Sequence, residues 1–211
     1  MEYKFEVTYK NVKYLRMKVK GDIVKISCPF FTSKKTLQKF INDNKDFIDK
    51  GLEREKLKQQ QNVIKINDFI TIFDKQYQIL SISSKPKVTE HFIFVNENND
   101  ISKQIKSLFK DKLYEIMYEK TKYCFDKMEL TCPFPKIIIK DVKSKWGSYH
   151  KKKHLIEYAS QLIFKNSIVY DYLVVHELAH IVYFDHSKQF YELVSKYYKD
   201  YKKVRKILKE N

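Results

Sequence analysis

The 211-residue sequence is poor in glycine, proline and cysteine, with 3, 4 and 3 of each. Because it contains no glycine-rich phosphate loop, a P-loop and a dinucleotide-binding fingerprint are excluded. Cys28, Cys124 and Cys132 are odd in number and far apart, which indicates reduced thiols rather than a disulfide framework or a thiolate metal site. No apolar run reaches the roughly 18 residues of a membrane helix, and the N-terminus lacks a signal-peptide pattern. We therefore expect a soluble, cytoplasmic protein with no membrane partner.

Arginine is also scarce, although the formal net charge is +16: only Arg16, Arg54 and Arg205 occur among 42 basic residues. Base-specific DNA recognition depends heavily on the arginine fork, so sequence-specific reading is not expected. The lysines are concentrated in Lys140–Lys153 and in the C-terminal tail from residue 196. These segments are either solvated surfaces, which is the usual case, or a surface for non-specific nucleic acid or another acidic partner.

Apolar residues make up 43% of the chain, with 15 Phe and 16 Tyr, which is enough for a hydrophobic core. Alternating apolar residues predict a three-stranded antiparallel start, and Ser33 is placed to cap a helix that ends near residue 55. The polar run at 56–62 is the predicted linker. Further strands are predicted at 63–66, 69–73, 77–82, 91–95, 136–142 and 154–159, and helices at 101–128, at 168–184 and in the C-terminal segment. This order indicates an α+β protein with a β-rich N-terminal module, residues 1–97, and an α+β module, residues 98–211.

The residues that carry chemistry are concentrated at 176–186, where three of the six histidines lie. His176 and His180 are four residues apart, so a helix places both on one face within reach of one ion. Neutral imidazole nitrogens are favoured zinc ligands. Glu177 then lies beside the metal, where it acts as general base for a water that the metal acidifies. The alternative is a fortuitous helix segment whose histidines have no special role.

His186 is the predicted third ligand. On an unbroken helix it would point away from the ion, because six residues after His180 add about 600° of rotation. The helix must therefore end or bend between Tyr183 and Asp185, with Ser187 capping a new helix. Three carboxylates are rival third ligands: Asp185, Glu192 and Asp200.

Further motifs accompany the histidines: Trp146-Gly147-Ser148, the segment Tyr172–His180, Asp185-His186-Ser187 and Phe190-Tyr191. With them the chain resembles the YgjP-like zinc metallopeptidases, a family similar to the minimal zincins and to the SprT/WLM-type proteases. The resemblance covers nearly the whole chain. It implies a minimal zincin-like module that holds one zinc ion per chain through His176, His180 and His186, with Glu177 as catalytic base. The chain departs from the family's usual Cys, Asn, Asn and Trp at Tyr149, Glu157-Tyr158, Asp185 and Tyr191.

Four residues are weaker candidates for contact with substrate or with the ligands: Trp146, Tyr158, Tyr183 and Glu192. Trp146 is expected to pack against the metal-binding helix. Tyr158 and Tyr183, like Tyr149, are candidate hydrogen-bond donors to a developing oxyanion. Glu192 is a candidate for orienting a ligand histidine. The strand at 154–159 is either a packed strand or the edge along which an extended substrate pairs. His150 and His154, among lysines, are expected to be solvated.

The expected function is that of a zinc-dependent metallopeptidase, in which Glu177 activates the water that attacks a peptide or protein substrate. One alternative keeps the zinc without hydrolysis, as in a basic binding module. Another is a DNA-associated protease similar to the SprT/WLM type, with the two lysine-rich segments as its docking surface.

Overall fold

The computed structural model describes residues 3–61 and 63–209, including their side chains except at 58–61 and 209. The chain divides into two compact units, Met1–Val63 and Ile64–Asn211. Within the described ranges, no helix has the length and apolar character needed to cross a membrane. The three cysteines are free thiols, in agreement with their spacing. Both units combine helices and strands, so the predicted α+β class is confirmed.

The first unit consists of a small sheet and two helices. Its elements are β1 (Lys4–Lys10), β2 (Arg16–Lys20), β3 (Ile23–Pro29), α1 (Lys34–Asp43) and α2 (Lys45–Gln61). The strand order is β1-β3-β2, in which β3 is antiparallel to β2 but parallel to β1. The predicted all-antiparallel arrangement is therefore wrong for β1, because alternation identifies a strand without identifying its partner. Val24, Ile26, Cys28 and Ile48 form the buried core of this unit.

The helices of the first unit begin where predicted but extend further. Ser33 accepts a hydrogen bond from the Thr36 backbone N–H at 3.1 Å, which confirms the predicted N-cap. The predicted single helix is interrupted at Asn44, and α2 then continues through Gln61 across most of the predicted linker. Lysine and glutamine are good helix formers, so a polar run does not by itself end a helix. Residue 62, the last of that linker, lies outside the described residues.

The second unit packs helices against two sheets. Its elements are β4 (Phe69–Ile72), β5 (Lys75–Ser81), β6 (Lys87–Val88), β7 (Phe92–Val95), α3 (Ile101–Leu108), α4 (Lys110–Lys127), β8 (Lys136–Lys140), β9 (Gly147–His150), β10 (Leu155–Ala159), α5 (Ile168–Val182), α6 (Lys188–Tyr197) and α7 (Tyr201–Lys209). The strand predicted at 63–66 does not form, and β9 is a strand that was not predicted from the sequence. The helix predicted at 101–128 is interrupted at Phe109, whose ring packs edge-on against Phe73 and Tyr77.

The four-stranded sheet, ordered β4-β5-β7-β6, shares one hydrophobic core with the helices that follow it. Ile72, Ile79 and Ile93 are completely buried in the same cluster as Ile105 and Leu113 of α3 and α4. The predicted boundary between residues 97 and 98 therefore falls inside the second unit. The sequence shows where strands are followed by helices, but packing joins the two kinds of element into one layered unit.

The three-stranded sheet positions the candidate site. Its order is β8-β10-β9, so β10 lies in the middle, parallel to β8 and antiparallel to β9. The interpretation of residues 154–159 as a substrate-pairing edge is therefore wrong, because both sides of β10 are occupied. The outer strand on the side of α5 is β9, and α5 packs directly against it. Helix α5 also contacts α4, α6 and α7.

Candidate metal centre

Helix α5 carries two of the candidate ligands on one face. His176 and His180 are one turn apart, and their ring centroids are separated by 5.0 Å. Glu177 lies between them in sequence, and only 3% of its surface is exposed. The apolar residues around them, such as Val175 and Leu178, are buried against neighbouring elements. The packing of α5 thus fixes the backbone from which these side chains project.

His186 reaches the same place because the chain turns after α5. The helix ends at Val182, and Tyr183 leaves it with extended backbone angles, φ −123° and ψ 118°. Ser187 then accepts a hydrogen bond from the Phe190 backbone N–H at 3.4 Å, where α6 begins. Both the predicted end of the helix and the predicted cap are confirmed. His186 lies at the corner and faces back toward α5.

The three imidazoles converge. One ligand nitrogen from each of His176, His180 and His186 lies within 4.8 Å of the other two. The Nε2 atoms of His176 and His186 are 3.2 Å apart. Nitrogens that share a tetrahedral zinc ion at about 2.0 Å are separated by roughly 3.3 Å, so this spacing fits such an ion. In the part of the chain that the structure describes, no other cluster of histidine, cysteine and acidic residues has this geometry.

Hydrogen bonds at the other ring nitrogens leave Nε2 available. The Tyr183 carbonyl can only accept, so its 3.1 Å contact with His180 Nδ1 places the proton there and the lone pair on Nε2. The Tyr172 hydroxyl lies 3.4 Å from Nδ1 of His176. Contacts of this kind orient metal-binding histidines. Burial, followed by the charges of neighbouring histidines and Arg205, lowers the pKa of His176 to about 3, so its imidazole is neutral as a metal requires.

Phe190 forms an apolar support for the cluster. It is completely buried on α6, and its ring centroid lies 5.0 Å from that of His176, 4.6 Å from His180 and 4.9 Å from His186. A single aromatic side chain therefore restricts the orientation of all three imidazoles.

Glu177 has one carboxyl oxygen without a donor. The Tyr149 backbone N–H donates to its carboxyl group, but the buried Oε2 has no hydrogen-bond partner. A buried oxygen in this condition costs free energy unless a ligand or ion compensates it. Burial raises the pKa of Glu177 to about 8, against the opposing effects of Tyr149 and Lys145. A cation held by the histidines favours the ionised form. The unpartnered oxygen and the three nitrogens together fit a divalent ion such as zinc.

Gly147 makes room for the Glu177 carboxyl group. A Cβ atom at position 147 would lie 2.6 Å from Oε1 of Glu177 and 2.9 Å from its Cδ and Cγ atoms. These separations are far shorter than van der Waals contact. Strand β9 therefore passes over Glu177 only because residue 147 has no side chain, which accounts for the glycine next to Trp146.

The site opens into a cavity of about 240 Å³. Residues from α5, α6 and α7, from the corner before α6 and from the segment that enters β9 line it, among them Trp146, His176, Glu177, His186, Arg205 and Leu208. The indole N–H of Trp146 donates to the Leu208 carbonyl at 3.0 Å. This hydrogen bond connects α7 to the segment that leads into β9.

The weaker candidates are distributed differently. Trp146 lines the cavity. Tyr158 is completely buried, and its hydroxyl lies 3.0 Å from Thr121 Oγ1. Tyr183 contributes its backbone carbonyl, as described above. Glu192 is exposed, and its carboxylate lies 3.6 Å from the Lys188 ammonium.

The rival third ligands are engaged elsewhere. Asp185 accepts a hydrogen bond from the Ser187 backbone N–H, and Asp200 pairs with Lys203 at 3.0 Å. His154 is not simply solvated, as its nitrogens contact the Tyr149 hydroxyl at 2.9 Å and the Pro133 carbonyl at 2.6 Å.

Three residues of the site were not assigned these roles from the sequence: Tyr172, Phe190 and Arg205. The four-residue spacing from Tyr172 to His176 is a local signal that predicts their contact on a helix. Phe190 has the pattern of an ordinary core residue. Arg205 reaches the cavity only because α7 packs against α5, a long-range contact that spacing does not encode.

Comparison with known proteins identifies the family of the chain. The family described as "YgjP-like, metallopeptidase domain" matches residues 13–211. No curated protein matches. Among solved structures, the metallopeptidase zymogen abylysin of Pyrococcus abyssi is 20% identical, with 44% of this chain and 93% of that chain covered and a TM-score of 0.40. The metallopeptidase zymogen jannalysin of Methanocaldococcus jannaschii is 18% identical, with coverages of 44% and 95% and a TM-score of 0.40. The chain belongs to the YgjP-like metallopeptidase family.

Proposed function

We propose that this protein is a zinc-dependent peptidase that cleaves peptide bonds with Glu177 as general base. The observation that carries the proposal is the convergence of three imidazole nitrogens beside the unpartnered Oε2 of Glu177. A core histidine pair would not need a third histidine from a separate turn, nor a buried carboxylate oxygen left without a donor.

His176, His180 and His186 are the residues that would hold the ion, one per chain. When bound, a zinc ion acts as a Lewis acid that polarises the substrate carbonyl and lowers the pKa of water. The Nδ1 contacts with Tyr172 and Tyr183 keep His176 and His180 in the orientation that ligation requires.

Glu177 moves the proton. Its Oε2 accepts a proton from the attacking water and then delivers it to the leaving nitrogen, which makes it base and acid in turn. The Tyr149 N–H and the close passage of Gly147 fix the carboxyl group, so little reorientation is needed during the reaction.

Strand β9 is the element that we assign to substrate alignment. It is the outer strand next to α5, so an extended peptide can add to its free edge through backbone hydrogen bonds. Backbone pairing of this kind is tolerant of side chains, and peptides or unfolded protein segments are therefore the proposed substrate class.

Metal analysis tests the site. Purified protein should contain about one zinc per chain, and His176→Ala and His186→Ala should each lose it while the fold is kept by circular dichroism. Zinc retained in His186→Ala would move the third ligand to another residue. Absence of metal even after reloading would overturn the proposal.

The variant Glu177→Gln tests the chemistry. It should retain zinc and fold but lose nearly all hydrolysis of a peptide library, by at least about 100-fold. Hydrolysis unchanged in this variant would reject Glu177 as the base. If the parent protein binds zinc but cleaves no peptide, the non-catalytic zinc module becomes the better interpretation.

The DNA-associated alternative has weaker support. Two lysines of the segment Lys140–Lys153, Lys140 and Lys145, lie 3.4 and 3.1 Å from the buried Glu157 carboxylate, which reduces the charge that they offer to a partner. Salt-sensitive binding to generic duplex DNA would favour this alternative, whereas no binding at low salt would reject it.

A further inference from the structure

Arg205 lies in the same cavity as the candidate metal ligands. It projects from α7, and the cavity wall that contains it also contains His176, Glu177 and His186. A cation therefore lies in the wall of the cavity onto which the candidate metal centre opens.

The guanidinium group of Arg205 lies over an aromatic ring, in a cation–π contact. Its Cζ atom lies 5.0 Å from the centre of the Tyr191 ring. Among the described residues, no carboxylate forms an ion pair with it. A cation–π contact uses the charge of the guanidinium and does not consume its five N–H donors, which can still bind an acceptor.

Tyr191 is itself fixed, so the position of the guanidinium is defined. Its ring stacks on His186 with centroids 6.0 Å apart and on Tyr201 at 5.5 Å. Tyr201 and Arg205 are one helical turn apart on α7. Tyr191 thus contacts both a candidate metal ligand, His186, and the guanidinium group of Arg205.

We propose that Arg205 binds a carboxylate of the substrate, which would make the enzyme selective for peptides with a carboxylate near the cleaved bond. This inference rests on the proposed peptidase function. The planar fork of arginine matches a carboxylate through two parallel hydrogen bonds, which a lysine cannot reproduce. Only three of the 42 basic residues of the chain are arginines, so an arginine at this position is unusual for its composition.

The substrate can supply this carboxylate in two ways, either as the C-terminal carboxylate of a short peptide or as the side chain of an Asp or Glu residue. The first predicts a carboxypeptidase-like preference, and the second an endopeptidase that selects acidic segments. The chemistry at Arg205 is the same in both, so the peptides used in the test must separate them.

The test measures peptide binding without turnover. Labelled hexa-alanine, as free acid and as C-terminal amide, is titrated with the zinc-loaded Glu177→Gln protein, and binding is followed by fluorescence anisotropy. Two further amidated peptides carry Glu or Gln at the fourth position. Arg205→Gln is compared in the same background with Lys202→Gln, which removes one exposed positive charge from the same helix.

We expect Arg205→Gln to weaken binding of one carboxylate peptide by about 10-fold or more, with little change for its amide or Gln counterpart. Arg205→Lys should recover only part of this affinity, and Lys202→Gln should behave as the parent. Selective loss for the free acid identifies the C-terminal carboxylate, and selective loss for the Glu peptide identifies an acidic side chain. Equal affinities for all four peptides in parent and variant, an equal loss for all four, or no binding at all would overturn the proposal.

Hydrolysis by the protein with Glu177 intact separates the two proposals. Cleavage of the amidated and free peptides with equal efficiency in parent and Arg205→Gln keeps the peptidase function and rejects the role of Arg205. Selective carboxylate binding without any cleavage keeps the role of Arg205 and rejects the peptidase function. A rise in KM with little change in kcat for the carboxylate peptide would support both.

Discussion

At the scale of single residues, the general base is positioned by backbone rather than by side chains. The Glu177 carboxyl group lies against β9, where it accepts the Tyr149 N–H and occupies the space that a side chain at position 147 would need. Backbone groups cannot rotate away as side chains can, so the location of the carboxyl group is fixed when the sheet forms.

Replacement of this glycine should separate catalysis from metal binding. In Gly147→Ala the new Cβ meets Oε1 at 2.6 Å, so the carboxyl group must shift, and we expect kcat/KM to fall about 100-fold with zinc retained. The control is Gly51→Ala, where a Cβ meets the Val19 side chain at 2.6 Å in the first unit. The control should lose stability but not activity, and an active Gly147→Ala enzyme would contradict the positioning argument.

The hydroxyl of Tyr172 should strengthen the metal site. Tyr172→Phe removes the contact with Nδ1 of His176, and we expect zinc affinity to fall roughly 10-fold in competition with a chelator. Tyr170→Phe is the matched control, since its hydroxyl donates to the Leu162 carbonyl in the core and does not reach the histidines. Equal zinc affinities of the two variants would count against a role for Tyr172.

At the scale of secondary structure, the prediction succeeded where local chemistry decides and failed where partners are distant. The end of α5 and the cap at Ser187 follow from residues within a few positions of each other, and both were predicted. The parallel pairing of β1, the strand β9 and the interruption of a long helix at Phe109 depend on contacts with remote segments. Phe190 is similar, because an apolar residue in a helix does not reveal that it touches three imidazoles.

The cap of α6 offers a prediction at this scale. Ser187→Ala should lower the free energy of unfolding by about 1 kcal/mol and also weaken zinc binding, because the residue fixes the corner that carries His186. Ser33→Ala removes an equivalent cap from α1 in the first unit and should cost similar stability with zinc affinity unchanged. Parallel denaturation and chelator titrations distinguish the two, and unaltered zinc binding in Ser187→Ala would refute the coupling.

At the scale of the whole molecule, the two units have separate hydrophobic cores. The division predicted from sequence, residues 1–97 and 98–211, would instead cut through the larger core. It would remove Ile72, Ile79 and Ile93 from contact with Ile105 and its neighbours. Deleting three completely buried isoleucines costs a free energy comparable to the whole stability of a typical domain.

Truncation compares these divisions. A fragment of residues 64–211 should unfold cooperatively and retain zinc, whereas a fragment of residues 98–211 should be poorly soluble and lack a cooperative transition. Thermal melting followed by circular dichroism, together with metal content, provides the measurement. A cooperative, zinc-binding 98–211 fragment would instead support the boundary predicted from the sequence.

The single tryptophan of the chain provides a natural optical reporter of this site. The Trp146 indole lines the cavity, donates to the Leu208 carbonyl and carries the Lys165 ammonium 5.0 Å from its ring centre. Its emission wavelength depends on the polarity and charge of those surroundings. Binding of metal or peptide, or undocking of α7, would therefore change the fluorescence of the unlabelled protein. The kinetics of each event can then be followed directly in solution.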